Sequence, residues 1–408
     1  MPSPKQEGGS KMEQTSSEMS AWKEINWRKL TDLNIERLKS LMKADGVDAL
    51  FVHRIDNFQY VTGYMNPTHY NLMFYTLRQG AIVLAKEEQP VMLAGAADIF
   101  DIKSFWWIKD ARPMPWGLEP WPETIRQVLH DYGLKSGKIA VDPDTTFVLM
   151  DGLRKEMGKN YTIVSAESIL EEAKGVKNVE EIKVIRRAAS LASGMVVTAK
   201  NAIREGAREI DVSLEADRTL LKMEPLAYPS FKTTIASGER AAYLDRIPST
   251  KVIGRGEIVM IDAGCRYMGY YSEFSRHVMV GKPTEEQKKL YRAAFESEQQ
   301  AVKAIRPGVK ASVVDRIARQ VIEDAGFGPY QHAHYTGHGH GLGIHDAPIV
   351  GDPKQKKEYV FEPGMVVAIE PGIFKPGVGG VREEDVVLVT EAGHEILSKV
   401  GYEERLLE

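Results

Sequence analysis

The sequence predicts a two-domain α/β (α+β) protein whose second half is a duplicated unit, and three observations carry that expectation. Strand-like runs alternate with helical patterns from residue 25 to about 170. A five-residue segment of the second half recurs 102 residues later. Each copy leads through an amphipathic helix into a strand hairpin carrying two acids.

At 408 residues the chain is long for one domain, and 43% hydrophobic residues suffice for a sizeable core. Residues 1–24 are polar, lack the apolar stretch of a signal peptide and read as a disordered tail. The first domain is expected over 25–172. It opens with a helix at 25–45 and continues through strand-like runs at Asp48–Val52, Gly80–Ala85, Pro90–Ala94 and Lys138–Val141. The charged segment Glu171–Asn178 reads as the connection to a second domain over 173–408. Asn178 with Glu181 three residues on has capping-box spacing for the helix that follows. In the second domain Ala202-Ile-Arg-Glu-Gly206 returns as Ala304-Ile-Arg-Pro-Gly308, followed by helical patterns at Asp211–Leu221 and Ser312–Ala325.

A formal net charge of −4 without a basic cluster argues against a nucleic-acid partner. No run approaches the ~20 apolar residues of a membrane span. A single cysteine, Cys265, leaves no internal disulfide and suits a reducing cytoplasm. With apolar neighbours and no local base, it reads as a hairpin residue rather than a nucleophile.

The first acidic hairpin runs from Ile258 to Val280. A turn centred between Tyr267 and Met268 puts Asp262 opposite Glu273, with Cβ atoms about 5 Å apart. Like charges so placed repel, and something positive must offset them. The second hairpin, Val366–Val389, centred on Gly377, puts Glu370 opposite Glu384. Between the hairpins five of the ten histidines (His332, His334, His338, His340 and His345) are interleaved with glycine. Carboxylates plus imidazole suit a first-row divalent ion such as Mn²⁺, Fe²⁺, Co²⁺ or Zn²⁺. A pair of ions sharing bridging carboxylates holds and activates a water.

The motif order Ile261-Asp-Ala-Gly, Gly269-Tyr-Tyr-Ser-Glu-Phe-Ser-Arg, Thr336-Gly-His-Gly-His-Gly-Leu-Gly-Ile-His, Ile369-Glu-Pro-Gly and Val381-Arg-Glu-Glu-Asp resembles the creatinase/aminopeptidase P/prolidase superfamily, with the pattern of its Xaa-Pro dipeptidases. The resemblance runs from about Lys174 to Val400. It implies a pita-bread catalytic domain behind a creatinase/prolidase-type N-terminal domain. It further implies that Asp262, Glu273, His338, Glu370 and Glu384 ligate two divalent metal ions. His338 is preferred to His340 because the family's ligand lies seven residues before its second active-site histidine, here His345. Glu370 is implied to help deprotonate a metal-bridging water, and His334 and His345 to contact substrate and stabilise the tetrahedral intermediate. The implied chemistry is hydroxide attack on an amide carbonyl.

Two positions depart from the family pattern. Glu273 stands where its second acidic ligand is aspartate, and Asp245 stands where proline peptidases and creatinase carry a catalytic histidine. An ionised aspartate only accepts hydrogen bonds, so Asp245 suits a cationic or amine group of a substrate, or is a solvated loop acid. Arg78 resembles the segment where creatinase places a substrate-carboxylate arginine, or is a surface strand-edge residue. The leading expectation is a metal-dependent Xaa-Pro dipeptidase acting on short peptides. A second is the same fold acting on a small non-peptide substrate, as in creatinase or the dimethylsulfoniopropionate lyases. A third is a non-catalytic binding protein of this fold, disfavoured by the intact acid set. Family members are commonly homodimers, and a homodimer is the implied assembly.

Overall fold

The computed structural model describes residues 25–65, 79–114, 117–243, 247–352, 354 and 357–408. The expected tail over 1–24, Arg78 and Asp245 lie outside the described residues.

The first half is built around a six-stranded mixed sheet. Its strands are β1 (Ala49–Val52), β2 (Gln79–Leu84), β3 (Val91–Ala94), β4 (Ala111–Pro113), β5 (Gly137–Val141) and β6 (Tyr161–Ser165), in the order β4-β3-β2-β1-β5-β6. Alternation along β1 explains its two faces. Ala49 and Phe51 pack with Trp121, Ile125, Leu149 and Leu153 from the helices Trp121–Asp131 and Phe147–Met157. Leu50 and Val52 join the opposite core with Leu30, Leu38 and Met42 of the helix Trp27–Ala44. That second core is continuous with Val184, Ile185 and Met195 of the long helix Val179–Ala202 and with the hairpin strands Glu257–Tyr267 and Tyr270–Val280, so both halves of the chain share it.

The segment expected as a connection is partly helical. The helix Glu167–Gly175 runs through it because Ile169, Leu170 and Ala173 form a buried stripe. Val176 then bridges to Met365, and Lys177 N–H donates to the Gly364 carbonyl, 2.9 Å. The expected capping box is present at Asn178 and Glu181.

The second half contains β7 (Ala227–Pro229), β8 (Thr234–Ser237), β9 (Glu257–Tyr267) and β10 (Tyr270–Val280), with β7 and β8 both pairing the outer side of β9. A five-stranded sheet has the order β12-β11-β13-β16-β17, from β11 (Gly337–Gly339), β12 (Asp346–Val350), β13 (Val366–Ile369), β16 (Asp385–Thr390) and β17 (Gly393–Ile396). Between β13 and β16 a two-stranded ribbon projects, β14 (Gly372–Lys375) with β15 (Gly379–Arg382). No helix among the described residues is long and apolar enough to cross a membrane.

Backbone hydrogen bonds strengthen the case for the internal repeat. The helices Val179–Ala202 and Glu285–Ala304 end at matching alanines and are followed by the helices Glu209–Met223 and Ala311–Asp324. Gly206 N–H donates to the Ile253 carbonyl as Gly308 N–H donates to Phe361. Isolated bridges pair Arg208 with Val252 and Lys310 with Val360. Both glycines need a positive φ, 86° and 83°, to turn one helix into the next. A Cβ would meet nothing within 4 Å at either. We therefore expect Gly206→Ala and Gly308→Ala each to destabilise through the backbone alone, by about 1–2 kcal/mol. Urea unfolding of the two variants measures this, and unequal losses would count against equivalent roles for the two turns.

Candidate metal centre

The first hairpin turns one residue later than its sequence suggests. Tyr267 pairs with Tyr270, so Asp262 lies opposite Ser275 and Glu273 opposite Gly264. A two-residue turn of this hand needs positive φ at both central positions, supplied by Met268 (50°) and Gly269 (87°). The expected centring would have forced Tyr267 into that region in place of glycine. Asp262 and Glu273 still share one face, as diagonal rather than direct neighbours, some 7–8 Å apart at the backbone. In the second hairpin Ile369 pairs with Asp385 and Gly372 with Arg382, which brackets Glu370 and Glu384 at the same level, as expected from a turn on Gly377.

The histidine segment forms β11, sandwiched between β12 and β13. Glycines flank His338 because a Cβ at Gly337 or Gly339 would run into the carbonyls of Ala368 and Ala347. The helix Ala311–Asp324 braces the approach to this strand. Arg319 donates to the carbonyls of His332 (2.9 Å) and His334 (2.8 Å), while Thr336 Oγ1 donates to Asp315, 2.6 Å.

These elements bring Asp262, Glu273, His338, Glu370 and Glu384 to one place. His338 Nε2 lies 3.5 Å from Glu273 Oε1 and 3.5 Å from Glu370 Oε1. Ligand atoms of His338, Glu370 and Glu384 all lie within 4.8 Å of one another, as do those of Glu273, His338 and His345. His334 Nδ1 is 3.9 Å from Glu370 Oε1. His345 is exposed and stands edge-on to His338, with ring centroids 4.3 Å apart.

A cation that sequence reasoning missed sits among the acids. The Arg382 guanidinium contacts Asp262, and reaches Glu370 Oε2 at 3.1 Å and Glu384 Oε2 at 3.5 Å. It also donates to Ser275 Oγ (3.0 Å), whose hydroxyl donates to Glu384 Oε2 (2.8 Å). The signal lay in its position, two residues before Glu384 in the same segment, from which both reach the cluster. Behind the acids, Arg276 is buried and donates to the Glu384 carbonyl (2.7 Å) and to the Asp385 carboxylate. Buried His277 bonds Glu383 through Nδ1 (2.9 Å) and accepts the Arg382 backbone N–H at Nε2 (3.3 Å).

Burial pushes the Glu273 carboxyl well above the usual carboxylate range, and the charges of Glu384, Asp262 and Glu370 push the same way against the pull of Arg382. Burial raises Glu384 likewise, against Arg382 and together with Glu370 and Asp262. Burial and then His345 lower His338 to about 3, so its imidazole is neutral near pH 7 and able to offer a lone pair. When all four carboxyls are ionised, one guanidinium leaves three formal negative charges, and Asp262 Oδ1 is buried without a hydrogen-bond partner among the described residues. An oxygen-rich donor set with one neutral imidazole, an orphaned carboxylate oxygen and excess negative charge fits divalent metal. Cys265 is buried on β9, and burial raises its thiol pKa, which favours the structural reading over a nucleophile.

Comparison with known proteins places this geometry in context. Residues 183–391 match the model for metallopeptidase family M24, and residues 34–175 match the creatinase/prolidase N-terminal domain. The chain is 40% identical over 249 residues to the Xaa-Pro dipeptidase of Pyrococcus furiosus, covering 61% of this chain and 70% of that one. It is 29% identical over 362 residues to the Xaa-Pro dipeptidase of Lactobacillus helveticus, covering 88% and 95%. The prolidase structure from Pyrococcus horikoshii superposes with a TM-score of 0.78 at 28% identity, over 91% of this chain and 99% of that one. The Xaa-Pro dipeptidase structure from Bacillus anthracis gives 0.79 at 28% identity, over 91% and 98%. The two-part architecture is therefore the pita-bread fold behind a creatinase/prolidase-type N-terminal domain, as the motifs implied.

Because the Glu273 carboxyl has a raised pKa in the fold, its stabilising contribution is present below the unfolded value and lost as pH rises through the folded one. We expect chelator-treated protein to lose stability as pH climbs above about 4.3, with Glu273→Gln flattening that slope by up to about 1.4 kcal/mol per pH unit. Denaturant unfolding in chelator across pH 5–8 measures both slopes, and parallel slopes would contradict the expectation.

Proposed function

Since the chain belongs to metallopeptidase family M24 and is a metal-dependent hydrolase, we propose that it cleaves Xaa-Pro dipeptides at the centre formed by its two hairpins and histidine strand. One observation carries this reading. Five residues far apart in sequence, Asp262, Glu273, His338, Glu370 and Glu384, converge with a donor set suited to two divalent ions, in a chain whose relatives include Xaa-Pro dipeptidases. Ions held there would supply Lewis acidity and lower the pKa of a water near neutrality.

The chain's own groups divide the remaining work. Glu370 accepts the proton released by the attacking water, with His334 beside it, its Nδ1 3.9 Å from Glu370 Oε1 and donating to the Tyr335 carbonyl, 2.6 Å. The role we assign to His345, exposed beside His338, is donation of an imidazole N–H to the carbonyl oxygen as it gains negative charge. Arg382 balances the acids. The ion identity is left among Mn²⁺, Zn²⁺, Co²⁺ and Fe²⁺ by the donor set. The assembly proposed is a homodimer, and a single buried cysteine suits a cytoplasmic setting.

Asp245 favours a second reading, a small non-peptide substrate carrying a cationic group, because an ionised aspartate attracts such a group and cannot donate to a carbonyl. Arg78 would then serve a substrate carboxylate. Assay of protein loaded with Mn²⁺, Co²⁺ or Zn²⁺ against Xaa-Pro dipeptides and small betaine-like or guanidino compounds separates the two. We expect dipeptide turnover that chelator abolishes and added metal restores. Metal-loaded protein that turns over only the small compounds would replace the first reading by the second. Glu370→Gln is expected to lower kcat by about 10²–10⁴-fold. Asp245→His is expected to raise dipeptide kcat/KM, and a fall would remove Asp245 from the specificity argument.

A further inference from the structure

We propose that His340 is an additional metal ligand of this centre, acting beside Glu273. The inference rests on the metal reading above and adds a second imidazole to its donor set. His340 follows β11, where its backbone N–H donates to the Val366 carbonyl, 2.9 Å. Its side chain is fully buried, and neither ring nitrogen has a hydrogen-bond partner among the described residues. An unsatisfied buried polar atom costs stability, and native proteins rarely leave both nitrogens of one ring in that state. If packing alone were needed, an aliphatic side chain would fill the space without that penalty.

The ring points toward the acids. His340 Nε2 lies 3.6 Å from Glu273 Oε1, the same oxygen that stands 3.5 Å from His338 Nε2. Two atoms bound to one ion at roughly 2.0–2.1 Å lie about 3.4 Å apart at the tetrahedral angle. The His340–Glu273 separation is that of two ligands sharing an ion more than that of a hydrogen bond. Glu273 Oε1 thus stands between two imidazoles, one from each side of Gly339. A second nitrogen donor shifts the preference of the centre away from Mn²⁺ and toward borderline ions such as Zn²⁺ and Co²⁺.

Two measurements on the full chain test this. X-ray absorption of Zn²⁺-loaded wild type is expected to count two imidazoles over the bound ions, falling to one in His340→Leu. Calorimetric titration is expected to show at least a tenfold loss of Zn²⁺ affinity in that variant, with a smaller loss for Mn²⁺. Chelated His340→Leu is expected to melt at or above the wild-type temperature, since an unsatisfied ring has been replaced by an apolar group, while the rise produced by Zn²⁺ shrinks. A single imidazole in the wild type, or an unchanged imidazole count or affinity in the variant, overturns the role of His340 while leaving the metal reading intact. Because the wild-type count decides alone, a variant that fails to fold does not shelter the proposal. Wild type that takes up no ion overturns both.

Discussion

The repulsion among four clustered carboxylates, three of them buried and Asp262 half-buried, is the constraint around which the second half of the chain is organised. At about 4 Å, two unit charges near a protein surface repel by roughly 4 kcal/mol, and burial adds a desolvation penalty to each. Such a cluster does not assemble by mutual attraction, so the backbone must impose it. Two antiparallel hairpins do so by fixing Asp262 with Glu273 and Glu370 with Glu384 on strands whose ladders extend well beyond the acids. Arg382 relieves part of the strain from within, and Arg276 ties β10 to the backbone of Glu384 and the side chain of Asp385. The His277–Glu383 pair holds the Arg382 backbone from behind, so the group that balances the acids is itself positioned by a buried pair.

The duplicated unit explains why two hairpins face one another. In each copy a long helix ends, a glycine with positive φ reverses the chain, and a second helix packs before the hairpin strands. Matching backbone bonds at Gly206 and Gly308 give the two copies the same local frame, from which each delivers a pair of acids. The copies then diverge. The second contributes β11 and its histidines, so one half provides only oxygen donors and the other provides oxygen and nitrogen together.

What could be read from the sequence followed from local rules. The helix at 27–44, the Asn178–Glu181 capping box and the centring of the second hairpin on Gly377 depend on short-range spacing, and the repeat shows as a direct match of two segments. The first hairpin was misplaced by one residue because hydrophobic alternation does not choose between neighbouring turn centres, whereas the positive φ of Met268 and Gly269 does. The connection expected at 171–178 proved helical through Gly175 because Ile169, Leu170 and Ala173 pack inward and Lys174 finds partners in Asp56 and Asp346. Arg382 lies within the motif Val381-Arg-Glu-Glu-Asp, but its pairing with Asp262, 120 residues away, is set by how the two hairpins face one another, which local spacing does not give. The His277–Glu383 pair joins residues 106 apart, a contact that no local pattern announces.

The corrected register changes the meaning of the longer acid at 273. Directly opposite Asp262, a glutamate would crowd the pair, and its extra methylene would be a liability. As a diagonal neighbour it has more distance to span, and the added reach carries Oε1 to within 3.5 Å of His338 and 3.6 Å of His340. Asp262 turns the other way, to Arg382. The two acids of the first hairpin therefore serve opposite sides of the cluster, one facing the guanidinium and the other facing imidazoles. That division accounts for why Glu273, farther from the balancing cation and surrounded by neutral rings, has its carboxyl raised by burial first and by the neighbouring acids second. The residue that departs from the family pattern is also the one for which the chain offers least positive charge of its own, which is the condition under which a carboxylate gains most from a metal ion.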